Sequence, residues 1–203
     1  MAIQIKKPLI ATFIHVPKTG GTSIQKWLFK NFQTEKKNKH CTLQQAQGLW
    51  EELGWTFACV RNPWDRCVSV YFFAQEQLNN KLAQIEQGTL PKPWKEHNRK
   101  EYVLKRLENY NKGFEHFLLN QDDPLLEQPQ TDFVDGVDCV IKTNNLNDEF
   151  KIIQDKLECY EPLSVRNTSN HKKYTQYYDD KTKDIVYRKY NEEIKKFNFE
   201  FGE

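Results

Sequence analysis

The chain has 203 residues, a comfortable length for one domain and short for two, since domains usually run ~100–200 residues. Its 30 Lys and Arg against 28 Asp and Glu leave a net charge of +2, which excludes the broad one-sign surface of a general nucleic-acid or membrane binder and makes any anion site local. A hydrophobic share of 38% would be thin, but 13% of the residues are aromatic and bury much area each, which argues against disorder.

No apolar run approaches the ~18–20 residues of a membrane-spanning helix, and the N-terminal stretch lacks a small-residue cleavage site. Neither a membrane span nor a nucleic-acid partner is expected. The five cysteines, Cys41, Cys59, Cys67, Cys139 and Cys159, form no C-x-x-C pair, and an odd number scattered through apolar strings suits a reducing compartment. The expectation is a metal-free, cytoplasmic protein.

In chain order, the first strand is expected over Leu9–Val16, nearly continuous in apolar character, as in a parallel strand covered on both faces. A glycine turn follows, then a helix from about Thr22 with Ile24, Trp27, Leu28 and Phe32 on one face. Trp55–Val60 reads as a second strand that stops at Arg61-Asn62-Pro63, where Asn62 can cap, Pro63 suits the first helical position and Asp65 stands where a capping-box acid would. Residues 78–123 are less regular, with a Gly/Pro loop near Gln87–Pro93 and two short helices carrying Val103, Leu107 and Tyr110, then Phe114, Phe117 and Leu118. Val137–Ile141 reads as a third strand, followed by a helix with Leu146, Phe150, Ile153 and Leu157 on one stripe. After a polar loop, Ser164–Tyr174, a final helix carries Val186, Tyr190, Ile194 and Phe197. Strands alternating with helices predict an α/β fold, a single domain over 1–203 with a P-loop-like parallel sheet flanked by helices.

The strongest local signal is Pro17-Lys18-Thr19-Gly20-Gly21-Thr22-Ser23, between a strand and a helix start. Glycines let the backbone approach a ligand, the N–H groups of the turn and the helix N-terminus attract an anion, Thr22 and Ser23 add hydroxyls, and Lys18 adds a full charge. The plain alternative is a capped helix start after a tight turn. It is not a Walker A loop, whose Lys follows the glycines; here Lys18 precedes them. The second cluster, Arg61-Asn62-Pro63-Trp64-Asp65-Arg66-Cys67-Val68-Ser69, starts at the next strand's end, so both turns can face one crevice beyond the carboxyl ends of parallel strands. Arg61 offers a guanidinium fork for a phosphate and Ser69 a hydroxyl from two turns into the helix. Taken singly, these two would be an ordinary ion-pair former and an ordinary helix residue.

Together the two segments resemble the cofactor signatures of sulfotransferases that use 3′-phosphoadenosine 5′-phosphosulfate (PAPS), most closely the carbohydrate branch with the heparan 2-O- and chondroitin-type enzymes. The resemblance implies that Lys18, Thr19, Gly20, Gly21, Thr22 and Ser23 cradle the 5′-phosphosulfate, that Arg61 and Ser69 bind the 3′-phosphate, and that the product is adenosine 3′,5′-bisphosphate (PAP). It extends to Asn167-Thr168-Ser169, Tyr174 and the segment from Tyr177 to Tyr190, and is thin over residues 78–123. Arg166, Ser169 and Lys172 are further candidates for closing over the nucleotide. Two family features are replaced: an Arg-x-Glu-x-Leu segment by Lys142-Thr143-Asn144-Asn145-Leu146, and a Phe-Gly-Tyr by Phe197-Asn198-Phe199.

A hydroxyl acceptor needs a base, and His titrates nearest neutrality. Among the five histidines, His15 sits in the first strand and reads as structural, His116 as packing or surface, and His97 and His171 as loop residues. His40 lies between the two signatures, where the resembled enzymes place their catalytic His. The expected activity is therefore in-line sulfuryl transfer from PAPS to a hydroxyl, on a glycan by resemblance, with His40 as base, Lys18 as charge stabiliser and no metal. Residues 78–123, with Trp94, Lys95, Arg99 and Tyr102, are the candidate acceptor wall. The competing readings are a P-loop phosphotransferase, disfavoured by the Lys position, and a catalytically silent nucleotide-binding module.

Overall fold

β1 (Ala2–Ile5) and β2 (Ala11–Ile14) fold back on each other as an antiparallel pair in the computed structural model, which describes residues 2–6, 9–37, 40–89, 96–120, 123–164 and 171–203. After β2 come α1 (Gly21–Asn31), β3 (Thr34–Lys37), α2 (Leu43–Gln47), β4 (Trp55–Val60) and α3 (Pro63–Glu86). The next elements are α4 (Glu96–Asn111), α5 (Phe114–Asn120), α6 (Pro124–Glu127), α7 (Gln130–Val134), β5 (Cys139–Lys142) and α8 (Leu146–Lys156). A 3-10 turn (Tyr174–Tyr177), α9 (Asp180–Lys189) and α10 (Asn191–Lys196) close the chain.

The described residues form one sheet of five strands in the order β3-β1-β2-β4-β5. The α/β class holds, but the sheet is mixed: β2, β4 and β5 run parallel, whereas β1 is antiparallel to both β2 and β3. This corrects the expected parallel sheet. The added pair stands on the far side of β2 from β4, so the parallel part keeps its strand-turn-helix logic. β3, Thr-Glu-Lys-Lys, lies at the sheet edge, where charged side chains discourage pairing with another chain. Lys6 and Lys37 both pair with Glu35 there.

Side-chain alternation along the strands divides the core between two faces. Ile3, Phe13, Phe57, Cys59 and Ile141 pack with Ile24, Trp27 and Leu28 of α1 and with Phe150 and Ile153 of α8. Ile14, Ala58 and Val60 point the other way, onto Leu43 and Ala46 of α2 and Phe133 and Val134 of α7. A separate apolar cluster surrounds α3, where Cys67, Val70, Tyr71 and Leu78 meet α4, α5, α9 and α10. Two helix boundaries differ from the sequence reading. α3 continues to Glu86, absorbing the start of the irregular stretch, and the final helix is interrupted at Tyr190, which leaves helical geometry while keeping its ring buried beside Val186 and Ile194. No described helix is long and apolar enough to cross a membrane. All five cysteine thiols are free.

Candidate functional site

β2 and β4 are adjacent and parallel, with Ile14 opposite Ala58, so the segments that follow them leave the same edge of the sheet side by side. After β2 the chain turns through Lys18 and Gly20, both left-handed with φ of 65° and 74°, and enters α1 at Gly21. Left-handed backbone suits glycine at position 20, while at Lys18 it is strained, and such strain persists only where surrounding contacts fix it. Gly21 is required for another reason: a Cβ there would lie 2.1 Å from the His15 ring. The ring of His15, one residue beyond β2, thus packs against the backbone of the turn.

The N-terminus of α1 has no side-chain cap and no acidic residue in its first turn. The Ser23 N–H is used by the Gly20 carbonyl, which closes the turn. An uncapped helix start with a nearby lysine favours an anion through the unpaired N–H groups and the helix dipole. The side chains of this segment divide. Thr19 is fully buried and its hydroxyl donates to the Val16 carbonyl at 3.0 Å, so its hydroxyl holds the turn and is not available to a ligand. Ser23 is buried, and Thr22 is half-buried.

Lys18 lays its ammonium over the Phe73 ring, 3.7 Å from the centroid, on the flank of α3. Burial, reinforced by the charge of Arg61 and opposed by Glu76, pushes the Lys18 ammonium down to about 8. Phe73 follows Ser69 by one helical turn, so Ser69 and the ring that Lys18 covers stand on one side of α3. Ser69 is 1% exposed and its hydroxyl has no hydrogen-bond partner. A buried hydroxyl normally finds an acceptor, commonly the carbonyl one turn earlier in its own helix, so an unsatisfied one on this face marks a place for a polar ligand atom.

Asn62 caps α3 as expected, accepting from the Trp64 N–H at 3.1 Å, and Pro63 occupies the first helical position. Asp65 departs from the expected capping-box role. Both its oxygens accept from Arg61, at 2.7 and 2.9 Å, in a forked ion pair. Arg61 also donates from Nη1 to the Lys18 carbonyl at 3.3 Å, which joins the two turns directly. Three of the five guanidinium N–H groups are thereby used, and the outer hydrogens of both Nη atoms remain for a ligand.

Arg66 is fully buried behind this junction. It donates to the Pro17 carbonyl at 3.2 Å and to the Leu125 carbonyl at 2.7 Å, while Nη1 has no partner. Burial lowers its proton affinity, and the nearby carboxylate of Glu193 works in the opposite direction. Its place in the fold is to brace the turn between β2 and α1 from beneath.

His40 also has left-handed backbone, with φ of 58°, and its Nδ1 lies 3.3 Å from the His15 carbonyl. A carbonyl only accepts, so this contact assigns the ring proton to Nδ1 and leaves Nε2 as the basic nitrogen of the neutral ring. The His15 and His40 rings are 5.0 Å apart between centroids. His15, read from sequence as an interior strand residue, therefore connects His40 to the glycine turn. The structure brings together Lys18, Gly20, Gly21 and Arg61, with His40 reached through His15 and Ser69 two turns along the helix that follows Arg61. Lys172 is exposed, and its backbone N–H donates to the Tyr177 hydroxyl. Arg166 and Ser169 lie outside the described residues, as do Trp94 and Lys95. His97 and Arg99 fall on α4 and not in a loop, and Tyr102, on the same helix, is exposed.

Sequence reasoning missed Phe73, the ion-pair role of Asp65, and the polar residues behind Arg61. The first two carried a signal, helical i,i+4 spacing from Ser69 and Arg61. Comparison of the chain with protein-family models, with curated proteins and with solved structures finds no match.

Proposed function

We propose that the protein is a sulfotransferase of the P-loop-like, PAPS-dependent type that transfers a sulfuryl group to a hydroxyl, on a glycan by its resemblance to the carbohydrate branch. The observation that carries this reading is the contact between Arg61 Nη1 and the Lys18 carbonyl, 3.3 Å, which gives two phosphate-suited turns a common edge. The partnerless Ser69 hydroxyl, one helical turn before the Phe73 ring that Lys18 covers, supports it, because a nucleotide phosphate there would satisfy a buried polar atom that otherwise lacks a partner.

PAPS supplies an activated sulfuryl group on a phosphate leaving group, with a second phosphate on the ribose. The uncapped start of α1 and the Gly20-Gly21 turn hold the phosphosulfate end. Arg61 and Ser69 hold the ribose 3′-phosphate, away from the reacting bond, which fixes the donor by remote binding. Lys18 leaves Phe73 and places its charge where negative charge gathers on the departing oxygen. His40 receives the acceptor hydroxyl proton at Nε2, its tautomer set by the His15 carbonyl.

The test is transfer of labelled sulfate from PAPS to a panel of glycans, phenols, steroids and peptides by the purified chain. Transfer to at least one glycan is expected, and His40→Ala should lower turnover by ~10²–10⁴ with the affinity for PAP unchanged. Absence of transfer to every acceptor class, with PAP bound, selects the silent nucleotide-binding module; phosphoryl transfer from ATP selects the phosphotransferase.

A further inference from the structure

Arg61 is the first residue beyond β4, where its backbone has left the ladder with β5: the preceding Val60 carbonyl is still taken by the backbone N–H and hydroxyl of Thr143. The Arg61 backbone would be left without strand partners, yet it is held by a side chain. Gln130 Oε1 accepts from the Arg61 N–H at 2.8 Å and Gln130 Nε2 donates to the Arg61 carbonyl at 2.8 Å, so the amide stands in for the missing strand. Gln130 is itself gripped by Glu193 of α10, whose two oxygens accept from the Gln130 backbone N–H at 2.8 Å and from Nε2 at 2.6 Å. Gln130 is 0% and Glu193 2% exposed.

This network has one consistent orientation. Rotating the amide by half a turn would set Nε2 against the Arg61 N–H and Oε1 against two acceptors, the Arg61 carbonyl and the Glu193 carboxylate. Burying a carboxylate is unfavourable without partners, and here the compensation comes from Gln130 and from the buried cation Arg66 nearby. The whole arrangement terminates on the main chain of Arg61, whose guanidinium reaches from the second turn to the Lys18 carbonyl of the first.

We infer that Gln130 and Glu193 are positioning residues for Arg61, clasping its backbone so that its guanidinium is preset for the ribose phosphate of the nucleotide. This rests on the proposed sulfotransferase reading and deepens it, naming what sets selectivity for a 3′-phosphorylated nucleotide over its 5′-monophosphate counterpart. Releasing the clasp leaves Arg61 in the chain, still paired with Asp65, but free to follow Asp65 and turn away from Ser69. The turn before α1 loses the Arg61 bond to the Lys18 carbonyl but keeps the Ser23 N–H on the Gly20 carbonyl, the Thr19 hydroxyl on the Val16 carbonyl and Arg66 on the Pro17 carbonyl. The loss therefore falls mainly on the 3′-phosphate.

Calorimetric titration with PAP and with adenosine 5′-phosphate, on the wild-type chain, Gln130→Ala and Glu193→Gln, measures the affinity ratio of the two nucleotides. The expected result is a large wild-type preference for PAP that drops roughly tenfold in Gln130→Ala, by analogy with groups that orient metal ligands, with the 5′-phosphate affinity changing much less. Glu193→Gln, which loses one of the two acceptors, should give a smaller fall in the same direction and serves alone should Gln130→Ala not fold. Thermal unfolding establishes that each variant is native. A wild-type preference retained in full by the folded variants, or a parallel weakening of both nucleotides, overturns the clasp. A wild-type chain that does not distinguish the nucleotides overturns the sulfotransferase reading itself.

Discussion

Lys18 combines strained backbone, a half-hidden ammonium on Phe73 and a proton affinity pushed down to about 8, and these set how the site responds to pH. Below that value the side chain is charged and can bind the donor phosphates; as pH rises through it the ammonium is lost. kcat/KM for the donor, which reports the free enzyme, should therefore fall on the alkaline side with a midpoint near 8. In Lys18→Arg, which stays charged throughout, that limb should vanish even if the overall rate is lower. An alkaline limb unchanged in Lys18→Arg would assign it to another group. At this scale, residue types at strand ends were readable: Lys18, Gly20, Gly21 and Arg61 all follow the carboxyl ends of the adjacent parallel strands β2 and β4. The inward turn of the Thr19 hydroxyl to the Val16 carbonyl was not readable, because it is set by the tightness of the turn and not by residue type. Gln130 and Glu193 were unreadable, since their contacts with Arg61 and with each other span 69 and 63 residues of sequence and no local periodicity encodes them.

Between residue and molecule, the turn joining β2 to α1 is built around the close approach of His15 to Gly21. Gly21→Ala would drive a methyl into the imidazole, 2.1 Å away, and should destabilise the fold by about 1–3 kcal/mol in urea unfolding, the usual scale of overpacking. If the clash is with His15, the double variant Gly21→Ala/His15→Ala should be less destabilised than the sum of the two single changes by at least ~0.5 kcal/mol. Strictly additive losses would contradict the packing. α1 and α8, with a clear apolar stripe, stand where periodicity put them, and α3 starts where its Asn62 cap and Pro63 put it. β1 and β3 escaped notice because β1 carries only two large apolar residues, Ile3 and Ile5, and β3 is made of polar edge residues with no apolar alternation. The break between α9 and α10 was hidden because Val186, Tyr190 and Ile194 keep helical spacing across it, all three buried in one cluster.

The molecule as a whole is a mixed sheet whose parallel half, β2-β4-β5, delivers two turns to one edge, while the antiparallel half, β1 and β3, extends the sheet away from them. α3 links the scales. Its first residues cap and brace the second turn, its flank carries Ser69 and, one turn on, the Phe73 ring beneath Lys18, and its remaining length anchors the helical cluster of α4, α5, α9 and α10. Through Glu193 and Gln130, α10 reaches back to Arg61, so a helix far along the sequence completes the turn that follows β4. α/β alternation made the class legible; the antiparallel addition was not, because the direction of a short strand is decided by its partners and leaves little trace in composition. The most direct measurement is a crystal structure of the chain soaked with PAP. The 5′-phosphate should lie at the start of α1 against Gly20 and Gly21, and the 3′-phosphate within hydrogen-bonding distance of both Arg61 and Ser69 Oγ. A nucleotide seated elsewhere, or one whose 3′-phosphate touches neither residue, would contradict the proposed function at its foundation.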